Sequence, residues 1–137
     1  VVIAIGSWSD TLQNRPRGGG FIQSESNWAR SRDRVVIDAS VGDLVKACTV
    51  LGKLTATGKY KPSPKTGSDG TQTAVAVLFD DTDATLGDVV ASVVARDAEV
   101  RADSLLYDPS VVTQTAKWAQ LNSVEIQVHL SSDVVAD

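Results

Sequence analysis

The chain has a single cysteine, a single histidine and no methionine among its 137 residues. One cysteine, Cys48, excludes an intrachain disulfide and leaves the redox compartment open. One Cys and one His cannot close a structural zinc site. Aromatic residues make up only 5% of the chain, so the core must be built from smaller side chains. No apolar run reaches the roughly 20 residues needed to cross a bilayer as a helix, which argues against a membrane partner. Val1 to Ile5 is apolar but short, and no basic region precedes it, so it does not read as an intact signal peptide. The missing Met is read as a removed initiator or a start after a processing point.

What is abundant is Val, Ala and Thr, and branched side chains of this kind suit a pleated, half-buried surface. The length fits one domain with a real core, able to bury about 68% of its extended-chain surface. The net charge is −4 and the isoelectric point is near 4.9. That argues against direct binding to nucleic acid, which needs a clustered basic footprint.

Charge is unevenly placed. Up to Arg34 the chain is basic and Gly-rich, with Arg15, Arg17, Arg30, Arg32 and Arg34 against Asp10, Glu25 and Asp33. Arg15-Pro16-Arg17-Gly18-Gly19-Gly20 carries no core pattern. Residues 1–34 therefore read as an extended arm that orders on a partner, and residues 35–137 as a β-rich body. Within the arm, Trp8, Phe21 and Trp28 are candidate contacts for a partner's pocket, and the five arginines are candidate fork-shaped partners for carboxylates. Their bland alternatives are a fold back onto the body and a solvated tail.

The body reads as short strands between turn residues. Val35 to Ile37, Leu44 to Leu51, Leu54 to Tyr60, Thr71 to Phe79 and Val89 to Ala95 are predicted strands. Ser40 to Asp43, Lys61 to Gly70 and the acidic Asp80 to Asp88 are predicted turns and loops. Arg96-Asp97-Ala98 is a tight turn, with Glu99 to Ala102 as the return strand. Asp108-Pro109-Ser110 reads as a helix start, with a helix to about Asn122. Val112, Ala116 and Ala119 are expected on its inner face, and Lys117 and Gln120 away from it. Val124 to Leu130 alternates cleanly, with Val124, Ile126, Val128 and Leu130 on one face.

Catalytic and metal patterns fail one by one. His129 lies on the polar face of the last strand, with no G-x-S-x-G elbow to support a triad. Cys48 sits in a strand pattern and reads as a buried structural thiol. The acidic loop puts Leu86 where a calcium loop demands Gly and Ser92 where Glu belongs. Gly52-Lys53 and Gly58-Lys59 do not have phosphate-loop spacing. No catalytic residue, cofactor or metal is expected.

The order of the elements is more telling. Glu25-Ser26-Asn27-Trp28-Ala29-Arg30-Ser31-Arg32 is followed by Ala47-Cys48-Thr49-Val50-Leu51-Gly52-Lys53-Leu54-Thr55. Asp69-Gly70-Thr71-Gln72-Thr73-Ala74-Val75-Ala76-Val77-Leu78 comes next. Arg96-Asp97-Ala98-Glu99-Val100, a Leu105-Leu106-Tyr107 corner, a helix and a final strand complete it. This order resembles the lambda-type head decoration protein family of tailed phages over about Asn27 to Leu130.

The resemblance implies a mainly β (α+β) fold: a small β-clip-like barrel or sandwich with one C-terminal helix and an extended N-terminal arm. It implies a homotrimer on the outer surface of a phage head that binds the major capsid protein and acts as cement against packaged DNA. The arm would be mobile in the free protein and order on the shell. This chain departs from shorter members in its longer, Arg-rich, Trp-bearing arm. Trp118, in the predicted helix, suits a core or trimer contact. Two other classes remain as alternatives: a β-rich module recognising carbohydrate or a host surface through Trp8, Trp28 and Trp118, and a small hydrolase using His129.

Overall fold

The computed structural model describes residues 18–129. In chain order the elements are β1 (Ile22–Glu25), the single turn α1 (Trp28–Ser31), β2 (Arg32–Ile37), a 3-10 turn (Ala39–Val41), β3 (Leu44–Val45) and β4 (Val50–Lys53). They continue with β5 (Tyr60–Pro62), β6 (Ala74–Leu78), β7 (Thr82–Asp83), β8 (Val89–Val94) and β9 (Ala98–Arg101). A 3-10 turn (Ala102–Ser104), α2 (Thr115–Asn122) and β10 (Ile126–His129) follow. The protein is mainly β with one helix of two turns near its C-terminal end, as the composition and the resemblance led us to expect.

Five strands close a barrel in the order β2-β5-β4-β6-β8. Its longest seam is antiparallel, from Arg32 opposite Val94 to Ile37 opposite Val89. The last seam is a single parallel pair, Ile37 with Tyr60. Pro62 is tolerated in β5 because Pro removes a donor, and β5 makes few ladder bonds. Closure leaves the barrel without a free edge. β1, β9 and β10 form a separate three-stranded sheet, and β3 pairs with β7.

Alternate residues of the barrel strands feed two cores. Ile37, Leu51, Ala76, Leu78, Ala91 and Val93 form one with Val45 and Ala84. Val50, Ala74, Val77 and Val94 join Phe21, Val100, Leu121 and Ile126 in the other, between barrel, side sheet and helix. Burial on both faces explains why β6 reads as the unbroken apolar run Ala74-Val75-Ala76-Val77-Leu78. Gly52 is required where β4 passes the 70s turn: a Cβ there would lie 2.0 Å from the Thr71 carbonyl oxygen.

Several expectations are corrected. Residues 21–34, expected in the extended arm, belong to the folded body. Phe21 is fully buried, Ile22–Glu25 pairs with β9, and Arg32 to Arg34 belong to the barrel. Burying the Phe21 ring is worth about 2–3 kcal/mol, which outweighs the weak helix and strand signals around it. The expected strand from Leu44 to Leu51 is broken at Cys48, whose φ is 75°; the thiol itself is buried as anticipated. Leu54 to Lys59 is a turn rather than a strand, held by Leu54 N–H donating to the Lys59 carbonyl at 2.7 Å, and of the expected strand only Tyr60 is in one. The loop predicted for Lys61 to Gly70 therefore gives its first two residues to β5.

The acidic segment contains the short β7. β9 does not return along β8: Asp97, at φ 53°, turns it away to pair with β1 and β10. The final strand begins at Ile126, after Glu125 at φ 66°; Leu130 lies outside the described residues.

The helix starts later than expected and turns its other face inward. Asp108 caps a turn instead, accepting from Ser110 N–H at 3.1 Å and Ser110 Oγ at 2.6 Å. Val112, Ala116 and Ala119 are exposed, whereas Leu121 and Lys117 are buried. Lys117 Nζ donates to Ser63 Oγ at 2.8 Å, Pro64 O at 2.6 Å and Gln72 O at 2.6 Å. Three acceptors, two of them carbonyls, satisfy all three ammonium protons. Periodicity counts Lys as outward, and only the tertiary acceptors reverse it.

Replacing Lys117 by Met keeps the length but leaves those three acceptors unpaired, and should lower stability by about 3 kcal/mol in urea unfolding. Gly52→Ala should cost a similar amount, about 3 kcal/mol, because two backbones must separate. An unchanged midpoint for either variant would contradict these contacts.

Candidate functional site

The side sheet sets where the chain leaves the body. β1 is antiparallel to β9, with Ile22 opposite Val100. Arg101 N–H donates to the Phe21 carbonyl at 2.9 Å. β10 is parallel to β9 and reaches His129 opposite Arg101. β1 therefore begins and β10 ends at the same end of the sheet, beside Val100 and Arg101; before β1 the chain turns, with Gly19 N–H donating to the Phe79 carbonyl at 3.0 Å. Trp8, Arg15 and Arg17 of the expected grip lie outside the described residues.

The remaining grip residues do not share that edge. Phe21 is in the core. Trp28 and Arg30 stand at the opposite end of β1, where Ser26 N–H donates to the Asp97 carbonyl at 3.0 Å. Asn27 Oδ1 accepts from Ala29 N–H at 3.0 Å and caps the turn, which leaves Trp28 68% exposed. Arg30 Nε lies 3.0 Å from Asp97 Oδ2 while most of its side chain faces water. Arg96 Nη1 donates to the Arg30 carbonyl at 2.7 Å and Arg96 Nη2 pairs with Asp33. Arg34 is exposed on β2, opposite Ser92.

Arg32 is committed internally. Its guanidinium grips Glu25 through Nε at 3.2 Å and through Nη2, and lies 4.0 Å over the Phe79 ring. Ser31 Oγ donates to the same carboxylate at 2.7 Å. The bonds from Arg32 first, then from Ser31, hold the Glu25 carboxyl below its ordinary value of 4.5 against the opposing effect of burial. This fork ties β1 to β2 and so joins the side sheet to the barrel.

A groove of about 540 Å³ opens one residue past the end of β9. Leu105, Leu106, Tyr107, Pro109, Val111 and Trp118 make its apolar lining, and Asp103 and Asp108 add carboxylates. Trp118 Nε1 donates to the Tyr107 hydroxyl at 2.8 Å. Burial pushes the Tyr107 phenol up, and the bond from Trp118 pulls the other way. Trp118 is half-buried, a wall of this groove rather than a fully enclosed core residue. Sequence reasoning named Trp118 but missed the groove, because its other wall comes from the loop before the helix. The Leu105-Leu106-Tyr107 corner was the available signal.

Nothing among the described residues assembles as a reaction centre. His129 Nε2 lies 2.9 Å from Glu99 Oε1 across neighbouring strands, and no described serine hydroxyl bonds to it. The acidic loop spends its carboxylates on the backbone: Asp81 Oδ1 accepts from Ala47 N–H at 2.7 Å, Asp83 Oδ1 from Thr85 N–H at 3.0 Å and Asp88 Oδ1 from Ala39 N–H at 2.7 Å. No described group of three or more His, Cys, Asp or Glu is placed to hold a metal.

A closed barrel with a side sheet, β1 beginning and β10 stopping at one end of that sheet, and polar side chains committed to the scaffold define a structural attachment module. A family model described as bacteriophage lambda head decoration protein D matches residues 11–127, and the chain belongs to that family. It is a phage head decoration protein, located in the virion on the outside of the capsid. The family is structural, not catalytic. No curated protein matches the chain.

A carboxyl depressed in the folded state contributes stability above its unfolded pKa and loses it as pH falls through the folded value. Glu25→Gln should therefore destabilise by about 1 kcal/mol at neutral pH. The gap to the parent should close as pH drops below 4.5. Thermal unfolding across that range checks it; a gap that persists at the acid end would remove Glu25 as the linked group.

Proposed function

We propose that this decoration protein binds the major capsid protein as a homotrimer and cements the shell against the pressure of packaged DNA. The observation that carries the reading is the shared end of the side sheet where β1 begins and β10 stops. A segment of 17 residues precedes Gly18, with Trp8, Arg15 and Arg17 as its candidate contacts. Three such arms on a trimer would engage neighbouring shell subunits together, so modest contacts multiply through effective concentration. Forked arginine bonds to shell carboxylates and strand addition at a sheet edge are the fitting modes.

The grip is thereby shortened from residues 1–34 to 1–17. Trp28, Arg30 and Arg34 remain candidate contacts on other faces of the body, for a neighbouring subunit or the shell. Trp118, expected in the core or at a trimer contact, forms a wall of the groove described above. A shared sugar platform is poorly supported: Trp28 sits at the Asp97 end and Trp118 in the groove past Arg101.

Deleting residues 1–17 should leave a folded body, by circular dichroism and melting, that no longer sediments with empty expanded heads. Deleting 1–34 would instead remove Phe21, β1 and half of β2, and should unfold the protein. Equal shell binding with and without residues 1–17 would end the arm reading. Heads filled with DNA should also rupture at lower temperature without the protein, and sedimentation of the free protein should show a trimer.

A further inference from the structure

We infer that the Tyr107–Trp118 groove is a second docking site on the shell-facing pole, which takes an apolar side chain flanked by Lys or Arg on a segment of the capsid protein. The inference rests on the decoration reading and adds a site to it. Position is the first argument. The lining starts at Ala102, directly after the end of the sheet where β1 begins and β10 stops. Backbone bonds tie its wall to the point where the chain enters: Leu106 N–H to the Cys48 carbonyl at 2.9 Å, Cys48 N–H to the Leu78 carbonyl at 2.9 Å, and Gly19 N–H to the Phe79 carbonyl at 3.0 Å.

Chemistry is the second argument. The lining is mostly apolar and offers two rings joined by a hydrogen bond, a rigid wall of the kind found at interface hot spots. Asp103 is exposed and meets Arg101 only at 3.8 Å, so its carboxylate is open to a cation from outside. Asp108 is engaged by Ser110 but keeps a second oxygen. An apolar insert with a neighbouring cation satisfies both features.

The test uses the full chain with the arm intact. Asp103→Arg combined with Pro109→Arg alters two exposed lining positions, and thermal melting checks that the fold survives. The expected result is about a tenfold loss of affinity for empty heads in sedimentation. In the unaltered protein, amide hydrogens of residues 102–109 should exchange more slowly once heads are added. Unchanged affinity and exchange, with binding still lost on deleting residues 1–17, would overturn this site and leave the arm reading intact. Protection of 102–109 that rises with protein concentration in the absence of heads would assign the groove to a contact between copies, and also overturn it. If the unaltered protein does not bind heads, the decoration reading fails first.

Discussion

Strand β9 has a partner on each side, and the opposite directions of those partners set the layout of the molecule. β1 runs against it and β10 runs with it. Backbone donors and acceptors on a buried strand must all be paired, so β9 holds both neighbours in place. Their directions put the start of β1 and the stop of β10 at one end of the sheet. Phe21 precedes β1 and enters the core, so the same pairing carries the ring to Val100 and Leu121. The groove begins where β9 ends. Core and groove both take their positions from this three-strand ladder.

Charge serves the scaffold before it serves a partner. Glu25 is held by Arg32 and Ser31, Asp33 by Arg96, and Asp88 by Lys59 and a backbone amide. Paired at half-buried sites, these groups fix orientation more than they add net stability. Lys117 is the extreme case, a cation enclosed by neutral acceptors that joins the helix to the loop around Ser63 and Pro64. Burial holds its pKa below the ordinary value, and Asp108 opposes that.

Strong local patterns were legible. Branched residues from Val89 to Ala95 mark the strand Val89–Val94, and the alternation from Val124 contains the strand Ile126–His129. Weaker segments were not. Leu44 to Leu51 has strand composition throughout, yet Cys48 adopts a positive φ because Ala47 and Cys48 amides bond to Asp81 and Leu78, far away in the chain. Residues 18–34 look like a tail because their apolar content is only Phe21, Ile22, Trp28 and Ala29. Their stability comes from the Arg32–Glu25 fork and from β9, a partner no local window contains.

The sequence alone determined the fold class, the basic leading segment and the order of elements that matches the family, because composition and local periodicity carry that information along the chain. Tertiary structure decided that residues 21–34 belong to the folded body, which helix face is buried, and that Tyr107 and Trp118 share a groove. Those outcomes depend on pairing between residues dozens of positions apart, where the free energy of satisfying a buried ring, a carbonyl or an ammonium overrides what the neighbouring residues prefer.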